Sequence, residues 1–251
     1  LSKAVLILVN LILIIGLVFS YTRAAWLSIA FAAIVGILVY SKVSFKLLAF
    51  LSFWGLGIIY VQWNNIQMTL AENTHEHTTE AFDEKIQSAV NISTDASNLE
   101  RINRWACAYE MFKRKPVFGF GPGTYAFEYA AFQDPENLTI ISTNFGDMGN
   151  AHSEYLGALS ETGLIGLILF LAVLVSIFYS SIKLYYRYEK THDEKILIMG
   201  IIVSLASYFI HAFLNNYLDT DKAAIPIWAM CAMIVKMTIH RNTIGQSTKK
   251  G

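Results

Sequence analysis

Long apolar runs broken by short polar stretches dominate the chain, at residues 4–20, 24–40, 45–61, 164–182, 196–214 and 223–239. A bilayer crossing takes about 20 residues and tolerates about 17. The pattern therefore predicts an all-α integral membrane protein with about six transmembrane helices. Between the third and fourth runs, residues 62–160 form one long, partly helical loop. The first run lacks a small-residue cleavage site and is followed at once by Arg23 and another run, so it does not read as a signal peptide. Because the sequence opens at Leu1 inside a membrane pattern, further spans upstream are expected. Residues 1–251 are read as one polytopic domain.

Composition agrees with this class: 55% of residues are hydrophobic and only 15% charged. Net charge is zero, which gives no reason to expect a nucleic-acid partner. The distribution of the basic residues gives an orientation. With the amino terminus in the cytoplasm, Lys3, Lys42, Lys46, Lys183, Arg187, Lys190, Lys195, Lys236, Arg241, Lys249 and Lys250 lie inside, and only Arg23 and Lys222 among the short loops lie outside. The 62–160 loop is then external, with the turns around Arg23 and from Asn215 to Lys222. Ionisable groups at mid-membrane, which mark transport pathways, are missing except for His211 near an outer end. The polar chemistry gathers on one face, as in an enzyme working at a membrane surface.

Inside the loop, Glu72-Asn-Thr-His75-Glu-His77 offers a His-x-His pair without further ligands at metal spacing. A solvated loop is the better reading, and no metal site is assigned. Ser97-Asn-Leu-Glu100 has the capping-box spacing, predicting a helix to about Arg114 that ends before Pro116. Leu99, Ile102, Trp105, Tyr109 and Phe112 recur along it as an apolar stripe, with Arg101 and Arg104 three residues apart beside it. They read either as surface arginines, Arg101 stacking on Trp105, or as paired ligands for an anion. Pro116-Val-Phe-Gly-Phe-Gly-Pro-Gly123 is a glycine-rich turn able to approach a ligand closely, but it lacks a P-loop lysine. Cys107 and Cys231 read as packing residues, and Tyr179, Tyr185, Tyr186 and Tyr188 as an interfacial belt. The turn Asn215-Asn-Tyr-Leu-Asp219-Thr-Asp221-Lys222 either lines an acceptor cavity or is simply solvated.

Four motifs in order carry a resemblance: Arg101-Ile-Asn-Arg-Trp105, Lys115-Pro-Val-Phe-Gly-Phe-Gly-Pro-Gly123, Asn150-Ala-His-Ser-Glu-Tyr-Leu156 and Glu161-Thr-Gly-Leu-Ile-Gly166. Together they resemble the shared domain of bacterial O-antigen ligases and O-antigen polymerases. Tyr21-Thr-Arg23-Ala-Ala is similar to the arginine-bearing turn of that family. The resemblance implies a GT-C-like glycosyltransferase of the bacterial inner membrane, with its active face periplasmic. It further implies an undecaprenyl-diphosphate-linked glycan donor, a lipid A-core or other glycan acceptor, a lipid surround and no cofactor. Members usually have about twice as many spans, so this chain resembles the carboxyl-terminal part.

The implied reaction leaves negative charge on a diphosphate, which arginines can absorb through charge-assisted hydrogen bonds worth roughly 3 to 4 kcal/mol for a well-placed donor. Arg23 and Arg101 match the family positions, with Arg104 in reserve for substrate binding. His152, expected in the first turn of a helix, is the candidate base for the acceptor hydroxyl, or else a loop-binding histidine. Glu154 and Glu161 are candidates to orient it, Glu161 alternatively capping the next span, and Asn150, Glu154, Tyr155 and Asp219 are the remaining substrate-binding candidates. Three function classes follow: an O-antigen ligase or polymerase, a transferase of the same fold with a protein acceptor, and a non-enzymatic transporter or scaffold.

Overall fold

The computed structural model describes residues 2–20, 22–43, 54, 96–134, 138, 142, 149–188 and 193–247. Among these the secondary structure is entirely helical: α1 (Lys3–Phe19), α2 (Arg23–Tyr40), α3 (Ala96–Arg114), a short α4 (Tyr125–Glu128) continued by a 3₁₀ turn (Tyr129–Phe132), α5 (Glu154–Tyr185), α6 (Asp193–His211) and α7 (Asp221–Ser247). Three stretches, Glu154–Tyr185, Asp193–His211 and Asp221–Thr243, are long and apolar enough to cross a membrane, and two shorter apolar helices cover the first two runs. These make the chain an integral membrane protein. The run at 45–61 and the His75/His77 pair lie outside the described residues.

The apolar helices carry few polar side chains, and several of these are satisfied within their own helix, as a medium without water demands. Asn10 donates to the Leu6 carbonyl at 2.8 Å. Ser176 and Ser181 donate to the Ala172 and Ile177 carbonyls at 2.7 Å, and Thr238 to that of Ile234 at 2.8 Å. Apolar side chains such as Ile168, Leu169 and Val175 point outward, whereas Leu174, Ile198, Ile202, Leu205, Phe209 and Ile234 form the shared core of α5, α6 and α7.

Helix α2 packs most extensively against α6, and small residues four apart let it do so. Ser28 and Ala32 are buried, the Ser28 and Ser207 hydroxyls lie 3.3 Å apart, and a Cβ on Gly36 would come within 2.9 Å of Val203. The antiparallel register brings the first turn of α2, with Arg23, level with the last turn of α6, with His211; His211 accordingly makes a backbone hydrogen bond with Ala24.

Two expectations need correction. The buried face of α3 is not the apolar stripe but the polar and small face of Glu100, Asn103, Arg104, Cys107, Ala108 and Met111. Tyr109 stays 52% exposed, because the tyrosines of α4 and the 3₁₀ turn pack on the neighbouring face. Nor does Ser97 start the helix, which already includes Ala96; Glu100 pairs forward with Arg104. The tyrosines read as a belt differ in burial. Tyr179 and Tyr186 are exposed, but Tyr185 is buried under Lys195, whose ammonium lies 4.6 Å from its ring centroid. Cys107 and Cys231 are both buried free thiols.

Candidate functional site

The site grows from α3. Arg104 Nε donates to Glu100 Oε1 at 2.7 Å, both side chains being buried. Its guanidinium also lies 5.0 Å from the centroid of the Tyr129 ring, which stacks almost parallel on Tyr125. Tyr125 in turn donates its hydroxyl to the Arg104 carbonyl at 2.8 Å. With this frame fixed, Arg104 Nη1 reaches the Asn150 carbonyl at 3.3 Å, and Trp105 Nε1 donates to the His152 carbonyl at 3.4 Å. Helix α3 thus holds the loop before α5 from one side.

The other side is held just past the end of α6, where the Ala212 carbonyl accepts from the Glu154 backbone N–H at 3.0 Å. Ser153, fully buried, caps α5 by accepting from Leu156 N at 3.4 Å. His152 therefore lies just before the helix rather than in its first turn. Its backbone is left-handed, with φ of 47°, a conformation uncommon outside glycine and a mark of constrained loops. The Asn150 side chain stabilises that turn by accepting from His152 N–H at 3.0 Å.

Burial, and then the charges of Arg104 and Arg101, push the His152 imidazole down to about 4; Glu100 opposes them weakly. The ring is consequently neutral at physiological pH and able to accept a proton. Arg101 is half-buried beside it. Arg23 opens α2 at the end of the α2–α6 pair that carries His211.

The glutamates are engaged elsewhere. Glu154 Oε1 accepts from the Tyr208 hydroxyl at 2.7 Å and from Leu218 N at 2.8 Å, tying α5 to α6 and the turn after it. Glu161 accepts from Gly123 N and Tyr125 N, each at 2.9 Å, so it clamps the glycine-rich turn rather than capping the span after it. Tyr155 donates to the Phe209 carbonyl at 2.8 Å and stacks on Phe213, a packing arrangement. Asp219 is exposed and accepts from Asn216 at 2.9 Å.

His211, which the sequence tied only to the fate of the polar turn after it, belongs to the same cluster. Asn215 Nδ2 lies 2.9 Å from its Nε2, Tyr217 stacks on its ring, and Arg101 is near enough to act on it electrostatically. Its position one turn before the polar Asn215 turn was the available signal. Glu100 could have been found from its Glu-to-Arg spacing of four on a helix.

A helical bundle with three helices long and apolar enough to cross a membrane thus gathers a half-buried histidine and two arginines where its helices end. The sequence profile of the O-antigen ligase family matches residues 8–171, and the chain belongs to that family. This puts it among O-antigen ligase- and polymerase-type glycosyltransferases, which take lipid-linked glycans in a membrane. No curated protein and no solved structure matches the chain.

Proposed function

We propose that the protein transfers O-antigen or a related glycan from undecaprenyl diphosphate to an acceptor hydroxyl, lipid A-core first among them, at the periplasmic face of the inner membrane. In this reading about six spans cross the membrane, and the 62–160 loop lies outside. The observation that carries it is the His152 imidazole, kept unprotonated by burial and by Arg104 and Arg101. His152 takes the acceptor proton as the hydroxyl attacks the anomeric carbon. The bond to the diphosphate breaks as the new glycosidic bond forms, and the leaving group keeps the electron pair.

Arg101 and Arg23 are the groups we assign to the departing diphosphate. Arg104 is spoken for by Glu100, Asn150 and the Tyr129 ring, and its part is to hold the histidine loop in place. Repeat-unit polymerisation and transfer to protein use the same chemistry on a different acceptor. A gel of surface lipopolysaccharide from a host lacking the full-length gene, rescued by wild type or by His152→Ala, separates them. Loss of every O-antigen band, restored by wild type only, supports the ligase. Core bearing a single repeat indicates a polymerase, and an unchanged ladder overturns both.

A further inference from the structure

A cavity of about 440 Å³ opens beside the histidine loop, between the glycine-rich turn, the start of α5 and the outer turn after α6. That volume falls in the range of about 300 to 1,000 Å³ common for small-ligand sites. Its polar lining includes the carboxylates Glu154, Glu161 and Asp219, the amides Asn150 and Asn216, and the hydroxyls of Ser153 and Thr162; among the described residues no lysine, arginine or histidine lines it. A phosphate or diphosphate is repelled by such a lining, while sugar hydroxyls find acceptors in it.

The cavity and the cationic site share one wall. Asn150, Ala151 and Ser153 line the cavity, and His152 between them lies against Arg101 and Arg104. One loop thus divides an acidic compartment from a basic one, with the proposed base on the boundary. Below the mouth, the cavity follows Ala158, Thr162, Gly166 and Phe170 along α5, past the break at Gly163 into the apolar part of the helix. Its polar end lies at the site, and its apolar end lies in the span.

We propose that this cavity is the acceptor subsite, and that it takes an uncharged, hydroxyl-rich sugar whose attacking hydroxyl reaches over the loop to His152. The diphosphate donor is held on the opposite, arginine side. This inference rests on the transferase reading above and adds to it the place and the charge preference of the acceptor.

The test uses full-length protein in lipid nanodiscs, undecaprenyl-diphosphate-linked glycan as donor and the host's lipid A-core as acceptor. Ala158→Leu fills the middle of the cavity, and Asp219→Asn removes a charge at its exposed mouth without changing shape. Ala158→Leu is expected to raise the acceptor KM at least tenfold, and Asp219→Asn about threefold or more, with the donor KM within twofold of wild type in both. A rise in donor KM instead, or an unchanged acceptor KM in both variants, overturns the proposal. Asp219→Asn decides alone if Ala158→Leu does not fold. Wild type that transfers no glycan to any acceptor overturns the transferase reading itself, a result distinct from a misplaced subsite.

Discussion

Gly119 and Gly163 meet backbone to backbone: a Cβ on Gly119 would strike the Glu161 carbonyl, and a Cβ on Gly163 would strike that of Val117. Both residues have φ of 67°, so each is left-handed where an L side chain is strained even with room to spare. Their contact lets the Pro116 carbonyl accept from Leu164 N at 2.9 Å and the Glu161 carbonyl from Gly121 N at 2.8 Å. The glycine-rich turn and the break in α5 are therefore one joint. It orients Tyr125, and through Tyr125 the backbone of Arg104.

Gly119→Ala and Gly163→Ala should each destabilise the protein by about 1 to 3 kcal/mol, from the positive φ alone, with the steric conflict adding to it. Thermal unfolding of the full chain in detergent reads this directly. A combined variant should lose less than the sum of the two, because the first substitution already opens the joint. Strict additivity would show that the two glycines do not act together.

Glu161→Ala leaves the N–H groups of Gly123 and Tyr125 without their acceptor. Losing hydrogen bonds to a carboxylate costs about 1.5 to 3 kcal/mol each when the donors stay buried, and less here because Gly123 is exposed. Glu161→Gln keeps one amide oxygen and should recover part of the loss. The expected order of melting temperature is wild type, Gln, Ala, with turnover following the same order.

The buried pair of Glu100 and Arg104 gives a sharper contrast. Glu100→Gln leaves a guanidinium buried without its counter-charge, and removing one partner of such a pair costs about 3 to 5 kcal/mol. Replacing both, as in Glu100→Leu with Arg104→Met, should cost less in stability while still impairing activity, since Asn150 loses its anchor. Chemical denaturation of the single and double variants would check the order.

Much of this was legible in the sequence, but not all of it for the same reason. Helix positions followed from apolar run length: the part of α5 beyond Gly163 begins where the predicted span begins, at Leu164, and the loop helix ends at Arg114 as the following Pro116 requires. Which face of α3 is buried did not follow. Periodicity favours the stripe through Tyr109, yet the fold buries Glu100 and Arg104 because each neutralises the other and Tyr125 and Tyr129 cover them. His152, Arg101 and Arg104 were picked out by residue type and order, and the fold brings them together. The roles of Glu154 and Glu161 were not, because their partners lie 64 and 36 residues away along the chain, at Leu218 and Tyr125.

His152→Asn separates the backbone role of this residue from its chemistry. Asparagine tolerates the left-handed region nearly as well as histidine does, so the variant should fold and keep the Trp105 bond to the residue 152 carbonyl. Without an imidazole the proton has no acceptor, and turnover should fall by about 10² to 10⁴. His152→Ala, which is less at ease at φ of 47°, should lose turnover and some stability as well. Equal activity of wild type and His152→Asn would remove His152 from the chemistry.

The depressed imidazole also fixes the sign of the pH dependence. A histidine held at about 4 stays neutral as pH falls through the ordinary value of 6.5, so the acid limb of kcat/KM should lie well below pH 6. Arg101→Gln removes one of the charges holding it down and should move that limb upward, toward the ordinary value. Stability follows the linkage: between about 6.5 and 4 the unfolded chain takes up a proton that the folded one refuses. Stability attributable to His152 is thus present above pH 6.5 and declines as pH falls through this window, levelling off below about 4. His152→Asn should flatten that part of the stability profile. An acid limb at 6.5 in the wild type, unmoved by Arg101→Gln, would mean that the arginines do not act on the base.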